Sequence, residues 1–234
     1  MHKSGTASLA GKGKEFSGNL FEIRLECGII FVKYATKTER THSVRRKEGK
    51  TDMKYASNNI RNILIAGHAG SGKTTLTEAL VYFSGAAERM GRVEDGTTIS
   101  DFDPEEAKRK ASLSASVVPV EYEGIKYNLI DAPGLFDFEA GEYEGIRAAE
   151  SVLVVVSGRS GVTVGAEKAF QLARKNGKAT MVFVSKCDLE NANYFKILED
   201  MKIKFGSTVC PCVVPAKLDD GTPVYINLFS QKAF

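Results

Sequence analysis

The 234-residue sequence predicts an α/β fold in which helices cover both faces of a mostly parallel sheet with one antiparallel hairpin. Three observations lead to this prediction. Short apolar runs of the kind shown by strands buried on both faces recur along the chain. Segments with apolar residues at helical spacing lie between these runs. A tight Glu123-Gly124 turn joins two strand-like segments and marks the hairpin. This alternation of strand and helix is typical of α/β domains.

The elements can be assigned in chain order. Apolar runs and alternating patterns predict strands at 63–66, 112–122, 125–131, 151–156 and 180–184. Apolar residues at helical spacing predict helices at 74–84, around 166–173 and at 191–205. Residues 85–110 form a polar stretch that is too long for an ordinary connection, which indicates a functional loop.

Residues 67–75 read Gly-His-Ala-Gly-Ser-Gly-Lys-Thr-Thr and match the phosphate-binding loop G-x-x-x-x-G-K-[ST]. The alternative is a chance glycine-rich turn, but a predicted strand and helix flank the motif in the required order. The glycines allow backbone N–H groups to surround a phosphate chain at the positive end of a helix. We expect Lys73 to reach the β- and γ-phosphates and Thr74 to place its hydroxyl on Mg²⁺. The motif predicts the three-layer sandwich of P-loop NTPases, with nucleotide contacts from His68, Ala69, Gly70, Ser71, Gly72, Lys73, Thr74 and Thr75.

A second motif, D-x-x-G, follows the predicted strand 125–131 as Asp131-Ala132-Pro133-Gly134. The Asp131 carboxylate is expected to hold Mg²⁺ through water, and the Gly134 N–H to bond the γ-phosphate. The alternative is a turn that Asp131 caps. The spacing of some sixty residues after the phosphate loop favours the nucleotide interpretation.

A third motif, Ser185-Lys186-Cys187-Asp188, follows the last buried strand and is similar to the guanine-reading N-K-x-D. The Asp188 carboxylate would accept hydrogen bonds from guanine, whereas adenine would leave it unpaired. The Lys186 stem would cover the base. An ordinary strand-end turn is the alternative, and an ATP-dependent P-loop kinase or ATPase is the alternative class of protein.

From about Met53 to Val214 the chain resembles the GTP-binding domain of bacterial elongation factor G, in its divergent paralogous branch. The resemblance rests on the three motifs and on Val93-Glu94-Asp95-Gly96-Thr97-Thr98, Pro104-Glu105-Glu106, Asp137-Phe138 and the stretch 161–168. It implies GTP and GDP as ligands and Mg²⁺ as cofactor in a cytoplasmic translation factor. In the full-length protein it implies a ribosome partner, with GTP hydrolysis linked to ribosomal translocation or ribosome disassembly.

Two residues of this sequence depart from the family pattern. Ser112 aligns with the family's switch threonine, a Mg²⁺ ligand, and it keeps the hydroxyl. Leu135 stands where the family has the histidine that positions the attacking water. Because leucine cannot orient water, no catalytic residue is assigned. Two functions therefore stay open: a GTPase, or a GTP/GDP-binding module with little hydrolysis.

Charge divides the chain at Met53. The whole chain carries a formal net charge of +3. Residues 1–52 carry a net +5 and the remainder a net −2, so the basic balance does not indicate a nucleic-acid surface on the domain. We expect a monomer without sequence-specific nucleic-acid binding or membrane spans. The four cysteines do not suggest a secreted disulfide framework, which favours a reducing cytosol.

The domain organisation follows from these patterns. Residues 53–208 are expected to form the GTP-binding domain, and residues 209–234 the start of a truncated inserted subdomain. Residues 1–52 are expected to be a disordered extension that makes few contacts with the domain. Two interpretations of this extension stay open: a basic tail, or untranslated leader that precedes an initiation codon at Met53.

Overall fold

The computed structural model describes residues 28–32, 55–189, 192–218 and 222–233. Predictions for residues 1–27 and 33–54 lie outside the described residues. Within the described ranges, no helix is long and apolar enough to cross a membrane.

A seven-stranded sheet forms the centre of the fold, in the order β3-β4-β2-β5-β6-β1-β7. The strands β4, β2, β5 and β6 are parallel, β3 pairs antiparallel with β4, and β1 pairs antiparallel with both β6 and β7. The predicted mostly parallel sheet with an antiparallel hairpin is therefore confirmed. The strands are β1 Gly28–Val32, β2 Ile60–Ala66, β3 Ser116–Tyr122, β4 Ile125–Asp131, β5 Ser151–Ser157, β6 Ala179–Ser185 and β7 Val209–Pro211.

Helices cover both faces of this sheet. The helices are α1 Lys73–Phe83, α2 Pro104–Arg109, α3 Glu139–Ala148, α4 Val164–Lys175 and α5 Tyr194–Phe205. On one face, Leu76 and Val81 of α1 join the buried cluster that contains Ile65 of β2. On the other face, residues of α3, α4 and α5 pack against Leu64, Val154 and Val182 of the sheet. These two apolar cores confirm the three-layer arrangement.

The sequence did not predict α3, and its packing explains why. Its buried residues are Gly141, Gly145 and Ile146, so it has a small apolar stripe. A Cβ at Gly145 would lie 2.6 Å from Leu64 Cδ1. Glycine thus lets α3 approach the sheet closely. The helix is buried by this close approach, and it lacks the broad apolar face that would have predicted it from the sequence.

Several strands differ from the sequence-based expectation: β2 begins three residues before its predicted start, β7 was not predicted, and β3 and β1 differ as follows. The structure begins β3 at Ser116, four residues after the predicted start, because residues 112–115 belong to the loop beside the phosphate loop. The strand β1 lies within the main sheet between β6 and β7. The expectation that residues 1–52 make few contacts with the domain is therefore wrong for Gly28–Val32. Its run of β-branched and aromatic residues suits a strand, and antiparallel pairing to β6 supplies its backbone hydrogen bonds.

A second, three-stranded antiparallel sheet follows the main one. It contains β8 Val213–Lys217, β9 Pro223–Asn227 and β10 Lys232–Ala233. The Tyr194 hydroxyl of α5 donates to the Val213 carbonyl over 2.8 Å and links this sheet to the domain. Because β7 lies in the main sheet, residues 209–211 extend the domain at its edge. That the remainder begins an inserted subdomain stays a prediction.

The Phe170 ring contributes much of the packing between α4 and α5. It is 2% exposed and stacks on Phe205 with ring centroids 4.1 Å apart. We expect Phe170→Ala to lower the free energy of unfolding by about 3–5 kcal/mol, since it leaves a cavity in the core. Phe195→Ala is the matched control, because Phe195 is 59% exposed on α5 and should cost less than about 1 kcal/mol. Urea denaturation measures both, and equal losses would contradict this assignment of the core.

Candidate functional site

The phosphate-loop sequence forms a tight connection between the end of β2 and the start of α1. Gly72 precedes the helix in the left-handed region at φ 95°, where a side chain would be strained. A Cβ at Gly67 would lie 2.5 Å from the Val155 carbonyl oxygen of β5. Glycine is therefore required at both positions, and the N-terminus of α1 faces the loop.

Lys73 is buried at the centre of the loop. It is 6% exposed, and its Nζ donates to the His68 carbonyl over 3.1 Å. Burial lowers the pKa of Lys73, whereas the nearby carboxylates of Asp131, Glu142 and Asp101 oppose that shift. The loop thus holds an ammonium group among three acidic side chains.

A chain of hydroxyls and carboxylates connects the three residues that the sequence assigned to a metal. The Thr74 hydroxyl donates to Asp131 Oδ2 over 2.8 Å. The Ser112 hydroxyl donates to Asp101 Oδ1 over 2.7 Å. The two hydroxyl oxygens lie 3.3 Å apart. The structure therefore brings Thr74, Ser112 and Asp131 together and adds Asp101 to them.

This group of oxygens fits a hard divalent cation. Asp131 is 1% exposed, and in the described part of the chain its Oδ1 is buried without a hydrogen-bond partner. Burial raises the pKa of Asp131 to about 6, although Lys73 and the Thr74 hydrogen bond oppose the shift. A cation would satisfy the unpaired oxygen and favour the charged carboxylate. Carboxylate and hydroxyl oxygens are the ligands that Mg²⁺ prefers.

A cavity of about 280 Å³ opens beside these groups. It is lined by most of the phosphate loop, by Ser112, by Gly134 and Leu135, and by Lys186. The D-x-x-G loop lies directly on the phosphate loop, since the Ala69 N–H donates to the Gly134 carbonyl over 3.0 Å. A Cβ at Gly134 would lie 2.6 Å from the Ala69 nitrogen. Leu135 is 38% exposed at the rim of this cavity.

The Ser185–Asp188 loop also contacts the phosphate loop. The Ser185 hydroxyl donates to the Ser71 carbonyl over 2.6 Å. Lys186 Nζ donates to the Gly70 carbonyl over 2.8 Å, so its stem crosses toward the loop. Asp188 is exposed and does not line the cavity. The structure thus joins Ser185 and Lys186 to the site and leaves Asp188 accessible on the same turn.

Sequence reasoning missed five residues that line this cavity, namely Val93, Glu94, Asp101, Lys110 and Ala111. The first four belong to the polar stretch 85–110, and Ala111 directly follows it. The length of that stretch indicated a functional loop, but nothing in its composition distinguished Asp101 from the neighbouring acidic residues. Burial raises the pKa of Asp101, with its Ser112 hydrogen bond opposing that shift.

A second cavity of about 230 Å³ lies between α3 and α4 and shares Gly134 and Leu135 with the first. Lys168 Nζ lies 4.3 Å from the centre of the Phe136 ring and donates to Glu139 Oε1 over 2.7 Å. Glu142 also lines this cavity, and in the described residues its Oε1 is buried without a hydrogen-bond partner. Burial raises the pKa of Glu142 to about 7, with Lys73 opposing the shift.

The fold and the loop geometry define a P-loop nucleotide-binding protein. The family model described as the elongation factor Tu GTP binding domain matches residues 58–229. The chain belongs to this family of translational GTPases, on its elongation factor G-like side, and contains its GTP-binding domain.

Individual relatives agree with the family assignment. An elongation factor G-like protein of Mycobacterium tuberculosis is 36% identical over 175 residues, which cover 75% of this chain and 24% of the relative. A mitochondrial ribosome-releasing factor 2 of Drosophila ananassae is 31% identical over 183 residues, covering 78% of this chain and 25% of the relative. A crystal structure of a protein from Thermus thermophilus aligns with a TM-score of 0.68 and 41% identity, over 74% of this chain and 26% of that one. The chain thus spans about a quarter of the length of these relatives.

The raised pKa of Glu142 predicts a pH-dependent stability. Its folded-state pKa of about 7 exceeds the ordinary 4.5, so its stabilising contribution is complete below pH 4.5 and is lost as pH rises toward 7. Glu142→Gln removes this titration. From pH 4.5 to pH 7.5, we expect the free energy of unfolding of the variant to rise by on the order of 2 kcal/mol relative to that of wild type. Urea denaturation measures this change.

The exposed Glu144 on the same helix offers a matched control. Glu144→Gln makes the same substitution at an exposed position and supplies the reference for the change in stability between the two pH values. A change for Glu142→Gln no larger than the change for Glu144→Gln would show that Glu142 does not titrate as the buried geometry implies.

Proposed function

We propose that this domain binds GTP and GDP with Mg²⁺, and that in the full-length protein nucleotide binding and hydrolysis are coupled to ribosomal translocation or ribosome disassembly. The observation that carries the nucleotide proposal is the group of Thr74, Ser112 and Asp131 oxygens beside buried Lys73, with Asp131 Oδ1 unpaired in the described structure. The names of the relatives, elongation factor G-like protein and ribosome-releasing factor 2, support the ribosomal part.

Each phosphate-site residue has a physical role in this proposal. Backbone N–H groups of His68 to Thr75 and the start of α1 would surround the phosphates. Lys73 would leave the His68 carbonyl to contact the β- and γ-phosphates, whose charge favours its ammonium form. Thr74 and Ser112 would bind Mg²⁺ directly, Asp131 would bind it through water, and Gly134 N–H would bond the γ-phosphate. When bound, the metal would neutralise charge on the phosphate oxygens.

The Ser185–Asp188 loop would supply guanine recognition. Ser185 and Lys186 join the loop to the phosphate loop through two backbone carbonyls, and these contacts would set the position of Asp188 relative to bound phosphates. The exposed Asp188 carboxylate would accept two hydrogen bonds from guanine. Adenine does not offer these donors, so it would leave the carboxylate unpaired.

A second candidate function is a GTP/GDP-binding module with little hydrolysis. Leu135 favours it, because an apolar side chain lies at the cavity rim where a water-positioning group would be needed. The three histidines of the chain are His2, His42 and His68. The His68 ring lies 5.8 Å from the Phe136 ring, on the side of the second cavity. In this proposal nucleotide binding does not involve the Leu135 side chain, so both candidate functions include nucleotide binding.

Guanine specificity is tested by Asp188→Asn. Loss of hydrogen bonds to a charged acceptor costs about 1.5–3 kcal/mol, so we expect a loss in GDP affinity of roughly 10- to 100-fold and a relative gain for xanthosine diphosphate. Fluorescent nucleotide titrations with Mg²⁺ measure both. Asp200→Asn, on α5 and outside the residues that line the cavity, is the control and should leave affinity unchanged. Equal affinities of the wild-type protein for ATP and GTP would refute the proposal.

Hydrolysis is tested by Leu135→His. The wild-type chain should hydrolyse GTP very slowly, and a histidine at this rim position should raise the single-turnover rate at least about tenfold when ribosomes are present. Leu228→His places the same side chain at an exposed position outside the lining of both cavities and is the control. If Leu135→His leaves the rate unchanged while nucleotide still binds, another group must limit the positioning of water.

A further inference from the structure

Glu106 is a buried acidic residue in the polar stretch that the sequence predicted to be a functional loop. It lies on the short helix α2 and is 1% exposed. Its Oε1 accepts from the backbone N–H groups of Leu113 and Ser114 over 2.8 and 3.1 Å. Its Oε2 accepts from the Asp103 N–H over 3.3 Å. One side chain therefore fixes the start of α2 and the segment directly after Ser112.

The backbone before Ser112 is fixed by the same helix. Lys110 ends α2 in the left-handed region at φ 54°, which reverses the chain. The Ala111 N–H donates to the Glu106 carbonyl over 3.2 Å. Glu106 thus holds the residue before Ser112 through its backbone and the residue after it through its side chain.

The hydrogen-bond partners of the Glu106 carboxylate indicate that it holds the neighbouring backbone in place. In the described part of the chain its hydrogen-bond partners are backbone N–H groups and the Ser114 hydroxyl, with no lysine or arginine among them. Its charge also helps to raise the pKa of Asp101. A buried carboxylate beside another carboxylate is costly, and here backbone donors offset that cost.

The hydroxyl of Ser112 depends on this anchoring for its position. It reaches Asp101 Oδ1 over 2.7 Å and lies 3.3 Å from the Thr74 hydroxyl. Ser112 lies before the start of β3 at Ser116, so the hydrogen bonds of the strand do not fix its position. We propose that Glu106 is a positioning residue that places the Ser112 hydroxyl for the metal bound with the nucleotide. This inference rests on the proposed function of the same site.

The Mg²⁺ dependence of nucleotide binding tests the proposal. In Glu106→Gln, an amide NH₂ replaces one acceptor oxygen and faces a backbone N–H. We expect the Mg²⁺ concentration for half-maximal retention of a fluorescent GTP analogue to rise at least about tenfold, the equivalent of about 1.4 kcal/mol. Nucleotide affinity in EDTA should stay within about twofold of wild type. Glu105→Gln is the matched control, because Glu105 lies on the same helix, is only partly buried and pairs with Arg109.

A double variant separates positioning from general stability. Because Glu106 acts through Ser112, adding Glu106→Gln to Ser112→Ala should raise the Mg²⁺ requirement less than about twofold further. A full additional tenfold increase, or a single variant that behaves like Glu105→Gln, would overturn the proposal.

Hydrogen exchange tests the anchor without nucleotide or metal. Glu106→Gln should accelerate amide exchange at Leu113 and Ser114, and unchanged protection there would overturn the proposal. This result is independent of nucleotide binding. If the wild-type protein showed no Mg²⁺-dependent binding of guanine nucleotides, the proposed function would fail, and with it the metal role of Glu106. Accelerated exchange would then still identify Glu106 as the anchor of this segment.

Discussion

The burial of the Lys73 ammonium between two loops is the constraint on which the site depends. Burial of the group lowers its pKa, and Asp131, Glu142 and Asp101 counteract this effect. Burial also raises the pKa of each of these three acids. The cation and the acids therefore stabilise one another in an environment that would exclude any of them alone. The glycines of the two motifs make the arrangement possible, because a Cβ at Gly134 would collide with the phosphate loop.

The same constraint extends into the polar stretch between α1 and β3. Two buried glutamates hold this stretch at its backbone: Glu78 of α1 accepts from the Ile99 N–H over 2.6 Å, and Glu106 accepts from the segment after Ser112. Between these anchors Asp101 reaches the Ser112 hydroxyl, which lies beside Thr74. The stretch is thus held by carboxylate–backbone hydrogen bonds, and its large apolar side chains Met90, Ile99 and Phe102 are exposed. Such segments can rearrange at lower cost than an apolar core.

Sequence reasoning predicted the parallel strands and the three motifs because both have strong local signals. A strand buried on both faces is apolar throughout, and glycine spacing in a phosphate loop follows from backbone geometry. It missed α3, whose contact with the sheet depends on Gly145, and β1, whose apolar run is flanked by charges. It also missed Asp101 as a site residue. An acidic residue in a polar stretch looks the same whether it is solvated or buried, and only the tertiary structure shows its partner.

In the proposed function, the position of Leu135 makes nucleotide binding and hydrolysis separable. The preceding Gly134 is fixed by its contact with Ala69, and the following residues Phe136–Phe138 form a short helical turn. The Leu135 side chain between them borders both cavities. The hydrogen bonds on either side of it join backbone atoms, from the Ala69 N–H to the Gly134 carbonyl and from the Phe138 N–H to the Leu135 carbonyl, so the side chain takes no part in them. Binding in the proposed function rests on backbone N–H groups and buried oxygens, whereas the orientation of a water molecule rests on one exposed side chain. In the proposed function, a change at Leu135 would thus alter hydrolysis and leave the residues that would hold phosphate and metal unchanged.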